Sequence, residues 1–223
     1  FEVALPDSLL ISERFYRPVF KAMLGKHRPM DQVKIGINEP QEDEYAWFRM
    51  LPGSPLEKIV FPENNHFFLS NDLNINSYEN EKNHWKEIVI RFFKKLHLRH
   101  GKRIVAKNPF NSFRINLLLE IFPNARFIHI VRHPYSVVPS SIHMWKIISE
   151  QNTLNRFANS PTCEEIATTM DKLLKTIEQA ELKLPEGTIF TLRYEDLVEN
   201  PLQEVRHIYE ALQLPLYPSF ERT

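Results

Sequence analysis

The sequence predicts an α/β domain in three layers, a parallel sheet flanked by helices. Three observations carry that expectation. Short apolar runs at 103–107, 126–131 and 188–193 each suit a strand, and stretches of helical periodicity stand between them. Phe127, Ile128, Ile130 and Val131 form a nearly continuous apolar run, as in a strand buried on both faces of a parallel sheet. Arg132 follows that run at once and Pro134 comes next, the order of a strand end feeding the first turn of a helix.

The elements follow in order. Leu9, Leu10, Phe15, Val19, Phe20 and Leu24 give residues 8–24 a helical period. Residues 26–40 are loop-like, with Pro29, Gly36 and Pro40. A short helix is expected over 41–51, with Glu42, Asp43 and Glu44 at the end where the dipole favours negative charge. Residues 52–78 are irregular and rich in Asn and Pro. A helix over 81–100 presents Trp85, Ile88, Val89, Phe92, Phe93 and Leu96 on one side, and Gly101 closes it. The first strand, 103–107, precedes an amphipathic helix over 111–122. After the second strand, helices are expected over 134–150 and 163–182, then the third strand and a last helix over 201–212. Trp47, Trp85 and Trp145 lie on apolar helical faces and are expected in the core.

The 223 residues suffice for one sizeable core, and a single domain is expected over 1–223. The formal net charge is +0, so no global field draws nucleic acid and an anion site must be local. Lys94, Lys95, Arg99, Lys102 and Arg103 form a basic run without aromatic interleaving, which reads as a solvated helix face; no nucleic-acid partner is expected. Cys163 is the one cysteine, which excludes an internal disulfide and a cysteine-based metal cluster. It is compatible with a reducing compartment, and a cytoplasmic location is the expectation. No run approaches 18 apolar residues, so no membrane segment is expected in this stretch of chain. Glu39, Glu42, Asp43 and Glu44 match no cation-loop spacing, and no metal is expected.

The chemistry concentrates at 126–141. Ligands of open α/β sheets bind outside the carboxyl ends of the strands, where helix starts offer free N–H groups. Arg132 would add a planar fork and Ser140 a hydroxyl, a set that suits phosphate. The plainer alternative is an Arg that caps a helix or pairs with a surface carboxylate. None of the five glycines sits in a Gly-rich strand-to-helix turn, and no G-x-x-x-x-G-K is present.

Three segments read together change the weight of that absence. They are Lys107 to Phe110, the stretch 114–140 through Arg132 and Ser140, and 192–201 with Arg193, Tyr194, Glu195 and Asp196. Their order and spacing resemble the PAPS-dependent sulfotransferases, most closely a large, mostly microbial branch that also carries a segment similar to 28–44. The resemblance implies a P-loop-NTPase-like sulfotransferase fold with 3′-phosphoadenosine 5′-phosphosulfate (PAPS) as co-substrate and no metal. It implies that Arg132 and Ser140 hold the 3′-phosphate, that Tyr194 lies near the adenine, and that Lys107 sits by the sulfuryl group. The implied reaction is sulfuryl transfer to a hydroxyl or amine on a small-molecule, glycan or lipid acceptor. The alternative is a non-catalytic nucleotide-binding or scaffold protein of the same fold.

The chain departs from that pattern in two places. Where one branch has a histidine base two residues after the lysine, this chain has Pro109, which cannot take a proton. Other branches use a glutamate about twenty residues beyond the phosphate loop. Glu2, in a similar setting before Pro6, is the first candidate base, with the 39–44 segment as the alternative. The phosphate loop itself and a basic segment near the family's C-terminus have no counterpart here. The expectation is therefore a sulfotransferase domain lacking both ends.

Overall fold

The computed structural model describes residues 13–23, 25, 27, 28, 33–39, 42–50, 56, 60, 79–154 and 161–215. Helix α1 spans Glu13–Met23 and α2 Glu44–Met50. The long helix α3, Glu79–His100, starts two residues earlier than the sequence suggests. His97, Arg99 and His100 fill its last turn, where positive charge suits the dipole. Gly101 ends it in the left-handed region, φ +59°, and its N–H donates to the His97 carbonyl at 2.8 Å.

A 3₁₀ turn, Pro109–Phe113, leads into α4, Ile115–Ile121. Strand β1, Phe127–Val131, then feeds α5, Pro134–Asn152, with Pro134 in the first turn as expected. Helix α6, Cys163–Glu181, begins with a reciprocal capping box. The Glu165 N–H donates to the Thr162 hydroxyl and the Thr162 N–H to the Glu165 carboxylate. Strand β2, Ile189–Arg193, is followed by α7, Tyr194–Glu199, and α8, Pro201–Ala211. Pro201 sets that last boundary: the residue before a proline avoids the helical region, and Asn200 sits at φ −131°, ψ 62°.

β1 and β2 are parallel neighbours, paired from Phe127 with Ile189 to Val131 with Arg193, and α5 and α6 form the crossover between them. Trp47, Trp85, Ile88, Val89 and Phe92 with Leu117 and Leu118 form one apolar cluster joining α2, α3 and α4. Trp47 meets Phe92 edge to face with centroids 5.0 Å apart. Phe127 of β1 packs against that cluster and also against a second one, built on Ile115, Ile177 and Ala180. A third, of Leu192, Ile208 and Leu212, seats α8 on β2. Trp47 and Trp85 are thus core residues, as expected, and Trp145 is half-buried.

Two expectations fail. Residues 103–107 are not a strand; they run without a ladder partner among the described residues, and Val105 is 85% exposed. A strand of that length stands only when a neighbour satisfies its backbone groups. Nor is β1 buried on both faces. Its burial alternates, with Ile128 45% and Ile130 51% exposed while Phe127 and His129 turn inward. Only one face of β1 meets the clusters described above. The first turn of the 8–24 helix and nearly all of 52–78 lie outside the described residues.

Candidate active site

The register of the sheet brings two segments level. Val131 pairs with Arg193, so the residues that follow each strand emerge side by side. Arg132 is the first of these and Tyr194 the second. The Arg132 guanidinium carbon lies 4.5 Å from the Tyr194 ring centroid, a cation–π stack. Beside it, the His133 N–H donates to the Glu195 carboxylate at 3.0 Å, which stitches the start of α5 to the start of α7. That N–H, helped by the backbone N–H of Glu195 itself and then by the Arg193 and Arg132 charges, holds the Glu195 carboxyl below its ordinary range. His133 supplies no side-chain cap to α5. A fixed guanidinium and a helix start without a cap from its own N-cap side chain converge here. Ser140 lies in the second turn of α5, exposed.

Lys107 is held differently. Its ammonium is ion-paired with Glu42, just ahead of α2; the lysine side chain is 73% exposed and the glutamate 28%. The next residue, Asn108, is buried and works twice. Its carbonyl oxygen accepts from the Phe110 N–H at 2.9 Å, capping the 3₁₀ turn, and its amide donates to Glu44 at 2.8 Å. Glu44, 1% exposed, also receives both Arg114 nitrogens, at 2.6 and 3.1 Å. Arg114 is itself 4% exposed and lies over the Trp85 ring. This bidentate pair is fully desolvated, and each member needs the other to be tolerable there. Asp43 is buried alongside. Burial pushes its carboxyl up to about 6, against the lowering effect of the Asn108 hydrogen bond and the Arg114 charge. Its Oδ1 has no hydrogen-bond partner among the described residues.

Of the residues singled out from sequence, Arg132 and Tyr194 are brought together, Lys107 is anchored to the acidic segment, and Ser140 shares a helix with the strand-end turn. Glu2 lies outside the described residues. Sequence reasoning missed the Glu42–Lys107 pair, the Glu195 bridge and the double role of Asn108. Only the last had a signal: an Asn directly before a Pro is a strong N-cap pattern.

A parallel α/β fold with a guanidinium at a strand end is the arrangement in which open α/β sheets place their ligands. The chain belongs to the Sulfotransferase family, whose sequence profile matches residues 35–218. It is 33% identical over 215 residues to omega-hydroxy-beta-dihydromenaquinone-9 sulfotransferase Stf3 of Mycobacterium bovis and, equally, to that of Mycobacterium tuberculosis. The match takes in 96% of this chain and 55% of either relative, so the chain spans about half the length of the curated relatives it matches. Among solved structures it resembles sulfotransferase STF1 of Mycobacterium tuberculosis H37Rv, with a TM-score of 0.61 at 18% identity over 94% of this chain and 55% of that one. Sulfotransferase STF9 of Mycobacterium avium is similar too, with a TM-score of 0.61 at 19% identity over 99% of this chain and 55% of that one. Both share the fold.

Proposed function

We propose that this chain is the part of a PAPS-dependent sulfotransferase that holds the nucleotide end of the donor and presents the cation for sulfuryl transfer. The observation that carries the reading is the stack of Arg132 on Tyr194 at the level ends of β1 and β2, beside the start of α5. Arg132 offers a fork of donors to the 3′-phosphate, with the Ser140 hydroxyl, in the second turn of α5, as a second donor. Tyr194 offers a ring edge or face to the adenine. Lys107 is the cation that this reading assigns to the negative charge growing on the bridging oxygen as the sulfur–oxygen bond breaks. A fixed cation there acts more on the transition state than on the ground state. The acceptor oxygen forms the new bond to sulfur, the bridging electron pair stays on the leaving phosphate, and the acceptor proton goes to a carboxylate. Glu2 and the 39–44 segment are the two sources of that carboxylate.

The acceptor is a hydroxyl or amine on a small molecule, glycan or lipid. The relationship to a sulfotransferase named for a hydroxylated menaquinone supports trying lipid-borne hydroxyls first. The test is the full-length protein with sulfur-labelled PAPS and a panel of hydroxylated quinones, phenols, glycans and amines. Label transferred to an acceptor, with Lys107→Ala abolishing it, is the expected result. Tight binding of PAPS with no transfer to any acceptor would favour a non-catalytic nucleotide-binding protein, and no binding at all would remove the reading.

A further inference from the structure

We infer that helix α1 is a membrane-surface anchor, which lays its outer face on a bilayer containing anionic lipid. The inference stands apart from the sulfuryl-transfer reading, because it concerns where the protein sits and is read without turnover.

The helix is amphipathic with its two sides exchanged. Phe15, Val19 and Met23 recur every four residues and form one stripe along Glu13–Met23. On a helix that packs against a core, such a stripe turns inward. Here it turns outward: Phe15 is 76% exposed, Val19 53% and Met23 77%, and Tyr16 and Ala22 beside them are exposed too. The polar residues turn to the protein instead. Glu13, 3% exposed, pairs with Arg99 and, at 3.9 Å, with Lys95, both on α3. Arg17, half-buried, donates to the Asn38 side chain. These contacts set the rotation of α1 about its own axis and hold the stripe in the open.

Charge names the occupant. Arg14 and Lys21 are exposed and flank the stripe along one side. Glu13 is the only acid of α1 and it is buried and paired, so the charge that α1 shows to solvent is positive. The chain as a whole has a formal net charge of +0, which makes this a local feature. Apolar side chains bordered by Arg and Lys are the pattern of a helix lying in the headgroup plane, with cationic tips among the phosphates and stems against the acyl boundary. A protein partner is a poorer match, since lysine is depleted from protein interfaces. Among the described residues no helix is long and apolar enough to cross a membrane, so the contact lies on the surface. A helix this short gives reversible attachment. Asn38 stands four residues before Glu42, the ion-pair partner of Lys107, so their Cα atoms are no more than about 14 Å apart. A lipid-borne hydroxyl would therefore meet the protein on the side that leads to Glu42 and Lys107.

The test is co-sedimentation of the full-length protein with vesicles, either phosphatidylcholine alone or phosphatidylcholine mixed with phosphatidylglycerol. The parent should bind the mixed vesicles and release them in high salt. Phe15→Gln with Val19→Gln and Met23→Gln should weaken that binding roughly tenfold or more, as should Arg14→Glu with Lys21→Glu. Both variants should keep the parent's melting midpoint, because the changed side chains stand in water. Vesicle binding that neither variant changes overturns the inference, as does equal binding to neutral vesicles. No vesicle binding, with the glutamine variant lowering the oligomer mass measured by light scattering, assigns the stripe to a second copy and also overturns it. No vesicle binding, with a lowered melting midpoint, overturns it in favour of cover by another part of the same chain.

Discussion

Arg132 lies with its guanidinium carbon 4.5 Å from the Tyr194 ring centroid, and the two residues directly follow strands that pair in register. The ring therefore orients a guanidinium whose donors have no hydrogen-bond partner among the described residues. Arg132→Ala should weaken binding of the desulfated nucleotide by about 1.5–3 kcal/mol, roughly ten- to a hundredfold, as expected for a hydrogen bond to a charged group. Arg132→Lys should recover little, since the planar fork is lost. Tyr194→Leu removes the stack and should cost at least about 0.5–1 kcal/mol. Titration calorimetry checks all three, and unchanged affinity in Arg132→Ala would end the anion reading.

The buried pair of Glu44 and Arg114 should show an asymmetric response. Glu44→Ala strands a guanidinium that is 4% exposed and should destabilise the domain by about 3–5 kcal/mol. Replacing both partners with Met should cost much less than the sum of the single changes. Urea unfolding of the four proteins closes the cycle.

Asp43 should make the domain less stable as pH rises. Its carboxyl is pushed from 3.8 up to about 6 by burial, so between those values the folded state holds a proton that the unfolded state has released. Stability then falls with rising pH across that window, by roughly 1.4 kcal/mol for each pH step of one and so about 3 kcal/mol in all, and it is flat above the window. Asp43→Asn should flatten the profile and raise stability at pH 7. Unfolding midpoints from pH 4 to pH 8 test this, and a parent protein that gains stability across that range would refute it.

The outward face of β1 should bind hydrophobic dyes. Ile128 and Ile130 stand two residues apart on the same side of the strand and are half exposed. In the isolated 223-residue chain, Ile128→Lys with Ile130→Lys should lower dye binding and self-association while changing stability by less than about 1 kcal/mol. Light scattering alongside dye fluorescence distinguishes this from a general loosening of the fold.

The fold and the site were unequally legible in the sequence. Strand β1 and helices α3, α5 and α6 were readable to within two residues because apolar period, a proline at a helix start and a glycine at a helix end agree locally. The 103–107 run has the composition of a strand, yet a strand is defined by its neighbour, and the run itself carries no information about one. The Arg132–Tyr194 stack follows from the register of two strands about sixty residues apart, which no local pattern encodes. The same holds for Glu42 and Lys107. Their residue types were suspect one at a time, but the pairing belongs to tertiary structure.

The level ends of β1 and β2 also set which length changes this chain can tolerate. Successive residues of a strand point to opposite faces, so one residue inserted into either strand would turn the next side chain through half a revolution. Arg132 and Tyr194 would then face away from each other, however well the remainder packed. The connection between α5 and α6 carries no such constraint, because extra loop length costs little entropy. Natural length variation should accordingly collect between the helices of the crossover and be absent from the two strands that act as its fixed gauge.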